Sequence, residues 1–353
     1  MSFRPDQVGR GACRLAEQTV EQAEEGGRAA SGAARGRVRF DPTSLLLRYG
    51  ILVVWLLITI VFSILRPATF FTFGNLETIA GSQAVLVVVS LALIPTLIAG
   101  EFDVSVSSVT GISLVLIGWL NVLHRWPIGP TIAVALGVGL AVGLVNAFFV
   151  VVAQVPSIVV TLGMGTLLIG VAVGINSLST GGISPGLVNA AHQEVLGLPL
   201  AFYYGVLLTL LFWYVLSHTP LGRYLYFVGA GRSVARLSGI PVDWIRAGSF
   251  VAGSLISALA GVLLAGWVSA SDPNVGPTFL LPAFAAAFLG SSVFEPGRFN
   301  AWGTFVAVYF LVTGVTGLEL LGVAGWIEQV FYGSSLILAV AVSRFAARRR
   351  LAV

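Results

Sequence analysis

A chain of 353 residues that is 57% hydrophobic and only 10% charged, with a mean hydropathy of +0.95, cannot have water as its main solvent, since soluble domains carry roughly 25% charged residues. Its 19 basic residues are all Arg, so the Gly-Lys-Ser/Thr end of a phosphate-cradling loop cannot occur; the net charge of +4 sits in short loops beside apolar runs, which points to membrane topology and not to nucleic acid. The single cysteine, Cys13, and the scattered His124, His192 and His218 offer neither a disulfide framework nor a metal cluster.

Residues 1–44 alternate Arg and Glu with Gly and Ala and hold no apolar stretch. They read as a disordered cytoplasmic tail, not as a signal peptide or a packed domain. Beyond the tail, crossing a hydrocarbon layer of about 30 Å takes about twenty helical residues, and on that rule residues 45–346 divide into ten apolar runs. The first is 48–65, followed by Arg66-Pro67 and the Phe-rich stretch 70–73, which suits a membrane interface. Runs 81–100, 104–123 and 128–152 come next, and Pro156 breaks the chain before 157–176. A long polar loop, 177–199, leads to 200–217. The largest insertion, 218–246, precedes 247–268, and Ser271-Asp272-Pro273-Asn274 is a turn by its residue chemistry. The last runs are 278–293, 300–317 and 325–345, and a basic tail, 347–353, closes the chain.

Short cytoplasmic loops are enriched in Arg and Lys, so alternate loops must carry the Arg residues if this partition is right. With the N-terminus inside, 17 of the 19 Arg fall on inner segments and only Arg66 and Arg125 outside. One missed or extra span would invert every later loop. The pattern therefore predicts an all-α, polytopic transmembrane bundle of about ten spans with both termini cytoplasmic.

The break 100–108 sets Glu101 and Asp103 with Ser105, Ser107 and Ser108 between two strongly apolar helices. Capping of the next helix by Asp103 or Ser105, with the carboxylates facing its positive dipole end, would account for them at a few tenths to about 1 kcal/mol each. The functional alternative is that the break enters the bilayer, where irregular backbone is tolerated only if buried or lining a cavity, and shapes a solute path or its gate. Gln83, Asn146, Gln154 and Asn176 are polar residues inside apolar runs, able to hydrogen-bond a hydroxylated solute or to bond across helices.

Residues 99–108 resemble the Gly-Gly-Ile-Asp-Leu-Ser-Val-Gly-Ser signature of ribose-type permeases, in the branched-chain amino acid and ribose permease superfamily of ABC transporters. Asp103, Ser105, Val106 and Ser108 match; Glu101 stands where the pattern has its second Gly, and Ser107 where it has the later one. The stretch 221–240 resembles the family's main cytoplasmic loop, with Leu221-Gly222-Arg223, Gly229 and an intact Arg236-Leu237-Ser238-Gly239-Ile240, while Ala230 and Gly231 replace a Gly and an Asn. In the family this loop holds the short helix that docks into the ATPase subunit. The segment 233–237, bounded by Gly231 and Gly239, suits that role, and Arg232 and Arg236 at i and i+4 would share one face. A third block, from Leu289 through Gly290, Ser291 and Gly297 to Gly303-Thr304, resembles the family's Leu-Gly-Gly-Thr-Ser, Gly-rich turn and Gly-Thr between two late helices. Three blocks in family order extend the resemblance over roughly residues 74–346.

The resemblance implies the membrane-spanning permease subunit of an ATP-driven importer in a bacterial plasma membrane, moving a sugar or sugar-like solute. Nucleosides and branched-chain amino acids are handled by relatives too. It implies a second permease subunit, in the simplest form a homodimer, a solute-binding protein outside, and a separate ATPase subunit that uses ATP and Mg inside. This chain would bind no cofactor and have no ATPase site. A secondary transporter coupled to ions would show carboxylates or His within its helices, and these are nearly missing. An intramembrane enzyme would need a nucleophile and base or a metal cluster at working spacing, which the sequence does not offer.

Overall fold

The computed structural model describes residues 42–351, with side chains over 49–341; the reading of the N-terminal tail up to residue 41, Cys13 included, lies outside the described residues. From Leu46 onward the chain is one compact unit. Helix α1, Pro42–Leu65, stops before Arg66-Pro67, because the proline ring disfavours helical backbone at the residue before it. Thr72 caps α2, Phe73–Ser82, by accepting from Asn75 N at 3.3 Å, and α2 leads into α3, Ala84–Ile98. The second span therefore starts at Phe73 and not at 81, since the threonine at the end of the Phe-rich stretch starts a helix there.

Two spans end in π-turns: α4, Val106–Ile117, continues through Gly118–Leu123, and α5, Ile128–Ala147, through Phe148–Val152. After α6, Ser157–Ile175, the polar loop carries a short helix, α7, Pro185–His192. It also carries two-residue strands: β1, Thr180–Gly181, pairs antiparallel with β4, Ala270–Ser271, and β2, Glu194–Val195, pairs with β3, Leu198–Pro199. Helix α8 spans Leu200–His218. The following insertion holds α9, Pro220–Ala230, and α10, Arg232–Leu237, and ends earlier than the sequence suggests, because α11, Val242–Val268, begins ahead of residue 247. Then come α12, Val275–Thr278, α13, Leu280–Gly290, α14, Ala301–Leu320, and α15, Trp326–Leu351, which carries helix into the basic C-terminal stretch.

The fold is all-α and polytopic. Among the described residues seven helices are long and apolar enough to cross a membrane: Phe73–Ile98, Val106–Leu123, Ile128–Val152, Ser157–Ile175, Leu200–His218, Val242–Val268 and Ala301–Leu320. Tyr49–Leu65, Val275–Gly290 and Trp326–Ala341 are shorter apolar helices.

Every residue of α3 is buried, as expected of a helix that is apolar all round, and it forms the centre of the bundle. Helix α11 packs on α3, α4 and α5. It reaches them backbone to backbone because glycines face the contacts: a Cβ on Gly253 would stand 2.9 Å from the Ala92 carbonyl oxygen of α3, and one on Gly261 2.5 Å from that of Thr110 on α4. Small residues at such crossings are how membrane helices gain close packing without a hydrophobic drive between them. The late helix α13 packs on α14, α15 and α3, so the end of α3 is shared by all three sequence blocks described above.

Candidate functional site

The break after α3 is turned by Gly100, whose φ of +77° is costly for any residue with a Cβ. The next residue, Glu101, is a hub. Its Oε1 accepts from Arg232 Nη2 at 2.7 Å and from Arg246 Nε at 2.8 Å, and Arg246 Nη2 forms an ion pair with it at 2.7 Å. Arg232 also donates to the Gly100 carbonyl at 3.3 Å, and Arg246 to that of Val150 at 3.4 Å. The Glu101 and Arg246 side chains are 5% and 6% exposed, whereas Arg232 is 47% exposed. Arg246 belongs to α11 and is buried in the bundle, and Arg232 opens α10 in the insertion. One carboxylate thus joins the first break, the insertion and a long span.

Two residues on, Asp103 Oδ1 accepts from the Ser105 amide at 3.0 Å and from Ser105 Oγ at 2.6 Å. Ser105 Oγ in turn accepts from Asn146 Nδ2 on α5 at 2.9 Å. Asp103, Ser105 and Asn146 are fully buried. Asp103 Oδ2 and Asn146 Oδ1 have no hydrogen-bond partner among the described residues, and leaving such acceptors buried costs about 1–3 kcal/mol each. Ser107 and Ser108 are buried beside them at the start of α4. The backbone of the break is satisfied by hydroxyls of α6: Phe102 N donates to Ser157 Oγ at 3.2 Å and Val104 N to Thr161 Oγ1 at 3.0 Å, while Thr161 Oγ1 donates to the Phe102 carbonyl at 3.2 Å. Ser105 itself makes no side-chain cap to α4; the capping-type bond at this end is the one that Asp103 Oδ1 accepts from the Ser105 amide. Chemically the cluster can accept donors such as hydroxyls.

Not every polar residue of the apolar runs joins this cluster. Gln154 lies in the turn before α6 at φ +56°, its Nε2 donating to the Val151 carbonyl. Asn176 closes the far end of α6, where its Nδ2 donates to Thr180 Oγ1 at 2.7 Å.

In the insertion, Gly229 presses on the end of α3 so closely that a Cβ would overlap the Ile98 carbonyl oxygen. That contact brings the insertion against Gly100 and explains why a glycine is needed there. The short helix α10 then runs over Arg232–Leu237, one residue longer than expected. Arg232 and Arg236, one turn apart, serve different partners: Arg236 Nη2 donates to both oxygens of Asp243, at 3.0 and 3.1 Å. Ala235 is buried, Ser238 Oγ donates to the Val234 carbonyl at 3.0 Å, and Gly239, at φ +78°, turns the chain so that Ile240 N reaches the Ala235 carbonyl at 3.1 Å. Among the side chains that the segment and the start of α11 leave exposed, beside the arginines, are large apolar ones: Leu237 is 90% and Trp244 81% exposed, and Val234 is exposed too. Arg223 is exposed on α9. Nearby, Tyr226 donates to the Phe299 carbonyl at 2.6 Å beneath the Arg298 guanidinium, 4.1 Å from its ring centre. Burial pushes this phenol up to about 12, against the opposing pull of Arg298, so it stays a donor.

The late hairpin is organised by Asn300, a residue whose role the sequence reading missed. Its Nδ2 donates to the carbonyls of Gly290, Val293 and Arg298 at 3.2, 3.1 and 3.2 Å, and its Oδ1 accepts from Gly303 N at 2.6 Å, capping α14. The signal was an Asn immediately ahead of an apolar run. Gly290 and Gly303 touch: a Cβ on Gly290 would lie 2.5 Å from Thr304 N. Ser291 is buried with its Oγ donating to the Phe288 carbonyl at 2.6 Å, Thr304 Oγ1 donates to the Asn300 carbonyl at 3.0 Å, and Gly297 turns at φ +85°. Helix α13 ends at Gly290, short of the expected 293, because this turn starts there.

Comparison with known proteins agrees with these blocks. Residues 75–340 match the family described as "Branched-chain amino acid transport system / permease component". Among similar curated proteins, the "Autoinducer 2 import system permease protein LsrD" of Yersinia pseudotuberculosis serotype O:3 (strain YPIII) is 28% identical over 271 residues, covering 75% of this chain and 81% of that protein. Its namesake from Yersinia enterocolitica is 29% identical over 271 residues, covering 75% and 82%. No solved structure matches. A family match that takes in the break, the insertion and the late hairpin together, on a bundle of apolar helices, makes this chain a multi-pass inner-membrane member of the branched-chain amino acid transport system permease component family.

Proposed function

We propose that the chain is one permease subunit of an ATP-driven importer for a sugar-like solute. The observation that carries the reading is the family match over residues 75–340, joined to similarity with permeases named for an import system. Three shorter apolar helices beside the seven long ones would make ten spans, and the Arg distribution supports both termini lying in the cytoplasm. The insertion then faces the cytoplasm, where α10 with exposed Leu237 and the start of α11 with exposed Trp244 offer an Arg-flanked apolar ridge for an ATPase subunit carrying ATP and Mg. A second copy of this chain, a solute-binding protein outside and membrane lipid complete the set of partners. The buried cluster of Asp103, Ser105 and Asn146 borders the path, together with Ser107 and Ser108, and Arg223 and Gly229 belong to the docking side.

Reconstitution tests this directly. Vesicles holding this chain with its ATPase and binding protein should take up labelled sugar only with ATP inside the ATPase compartment. Uptake by the permease alone, driven by an ion gradient, would instead establish a secondary transporter.

A further inference from the structure

We infer that Glu101 and Arg232 are positioning residues that tie the ATPase-docking helix to the solute-path break, so that movement of α10 is passed to the path through one shared oxygen. The inference rests on the permease reading and adds a specific link to it. In the ribose-type pattern the position of Glu101 is a glycine, which has no side chain to make such a link, so the link is a feature of this chain and not of the pattern.

The geometry is one-sided in a useful way. Arg246 is buried and holds Glu101 from the body of the bundle, at 2.7 and 2.8 Å; Arg232 is half-exposed and holds the same oxygen from the docking helix, at 2.7 Å. The inner pair fixes the carboxylate, and the outer arginine is free to pull on it. Arg232 also holds the Gly100 carbonyl, at the point where the chain turns off α3. Beyond Glu101 the break has no slack. Phe102, Val104 and Ser105 are bonded to α6 and α5 through Ser157, Thr161 and Asn146. A displacement of Arg232 therefore reaches α4, α5 and α6 through the break itself, whose backbone is pinned by hydrogen bonds to the neighbouring helices. Arg236, bonded to Asp243 next to the exposed Trp244, does not touch Glu101 and reaches it only indirectly, through Asp243 Oδ1, which lies 3.9 Å from Arg246 Nη1.

The test uses the whole complex with Arg232→Ala, Arg232→Lys, and Glu101→Gln combined with Arg232→Ala. Three quantities are read in the same vesicles: retention of the ATPase on the permease, ATP hydrolysis, and solute taken up per ATP hydrolysed. Because Arg232 is half in solvent, its substitution leaves folding intact even if Glu101→Gln does not. The Arg232→Ala complex should keep its ATPase but lose about tenfold in uptake per ATP, the scale of one charge-assisted hydrogen bond. Arg232→Lys should recover most of the loss, and adding Glu101→Gln to Arg232→Ala should lower uptake per ATP little further, because the link from the docking helix is already cut, while the separate loss of the Arg246 pair is read as stability. Unchanged uptake per ATP in Arg232→Ala overturns the link, and so does loss of the ATPase, which would make Arg232 a docking residue. Failure of the unsubstituted complex to couple uptake to ATP at all would instead refute the permease reading.

Discussion

Arg246 on α11 and Glu101 in the break after α3 form a buried ion pair with Nη2 2.7 Å from Oε1, across 145 residues of sequence. Two charges taken out of water hold each other at a small net gain, but removing one leaves the other stranded. Arg246→Leu leaves buried Glu101 with only the half-exposed Arg232 and is therefore expected to destabilise the chain by up to about 3–5 kcal/mol, measured by thermal unfolding in detergent, whereas Arg298→Ala, which loses a half-exposed pair with Glu295 at 3.4 Å and the contact with the Tyr226 ring, should cost about 1 kcal/mol.

The glycines of α11 divide by what faces them. Gly253→Ala places a methyl against the Ala92 carbonyl and should cost about 1–3 kcal/mol by overpacking. Gly248→Ala, with open space around it in the same helix, should be neutral or stabilising by up to about 1 kcal/mol. Equal effects of the two in a melting experiment would contradict the packing described.

Ser105 carries the buried cluster, since its hydroxyl both donates to Asp103 and accepts from Asn146. Ser105→Ala should destabilise by about 1–3 kcal/mol through the unpaired Asn146 amide, and Ser105→Thr, which keeps the hydroxyl, should retain most of the stability and uptake lost in the alanine variant. Uptake and melting curves recorded together check this.

Asn300→Ala removes a helix cap and the donor to three carbonyls, so a loss of about 2 kcal/mol is expected from the cap and its partners together. Asn300→Asp, which keeps the acceptor for Gly303 N but not the donor, should separate the two contributions in the same unfolding assay.

Leu237→Asp and Trp244→Asp alter side chains that are almost wholly exposed, so the stability of the permease itself should shift by less than about 0.5 kcal/mol. Co-purification of the ATPase subunit should nevertheless be lost. A pull-down that keeps its full ATPase content would remove α10 and the start of α11 from the docking surface.

The membrane class of this chain, most of its helix limits and its three family blocks were legible in the residues themselves. Hydrocarbon thickness dictates how long an apolar run must be, and prolines, glycines and polar turns mark where it stops; among the limits that moved, Phe73 and Gly290 are places where a cap or a turn outweighed hydropathy. What tertiary structure alone decided is which polar group meets which. Glu101 could be noticed in the sequence, but Arg232 and Arg246 lie 131 and 145 residues away, and Asn300 gave only a cap signal while it bridges three carbonyls. Helices apolar on every side, such as α3, carry no amphipathic stripe to say what packs against them. Their neighbours are fixed by glycine contacts and buried hydrogen bonds that exist only once the chain has folded.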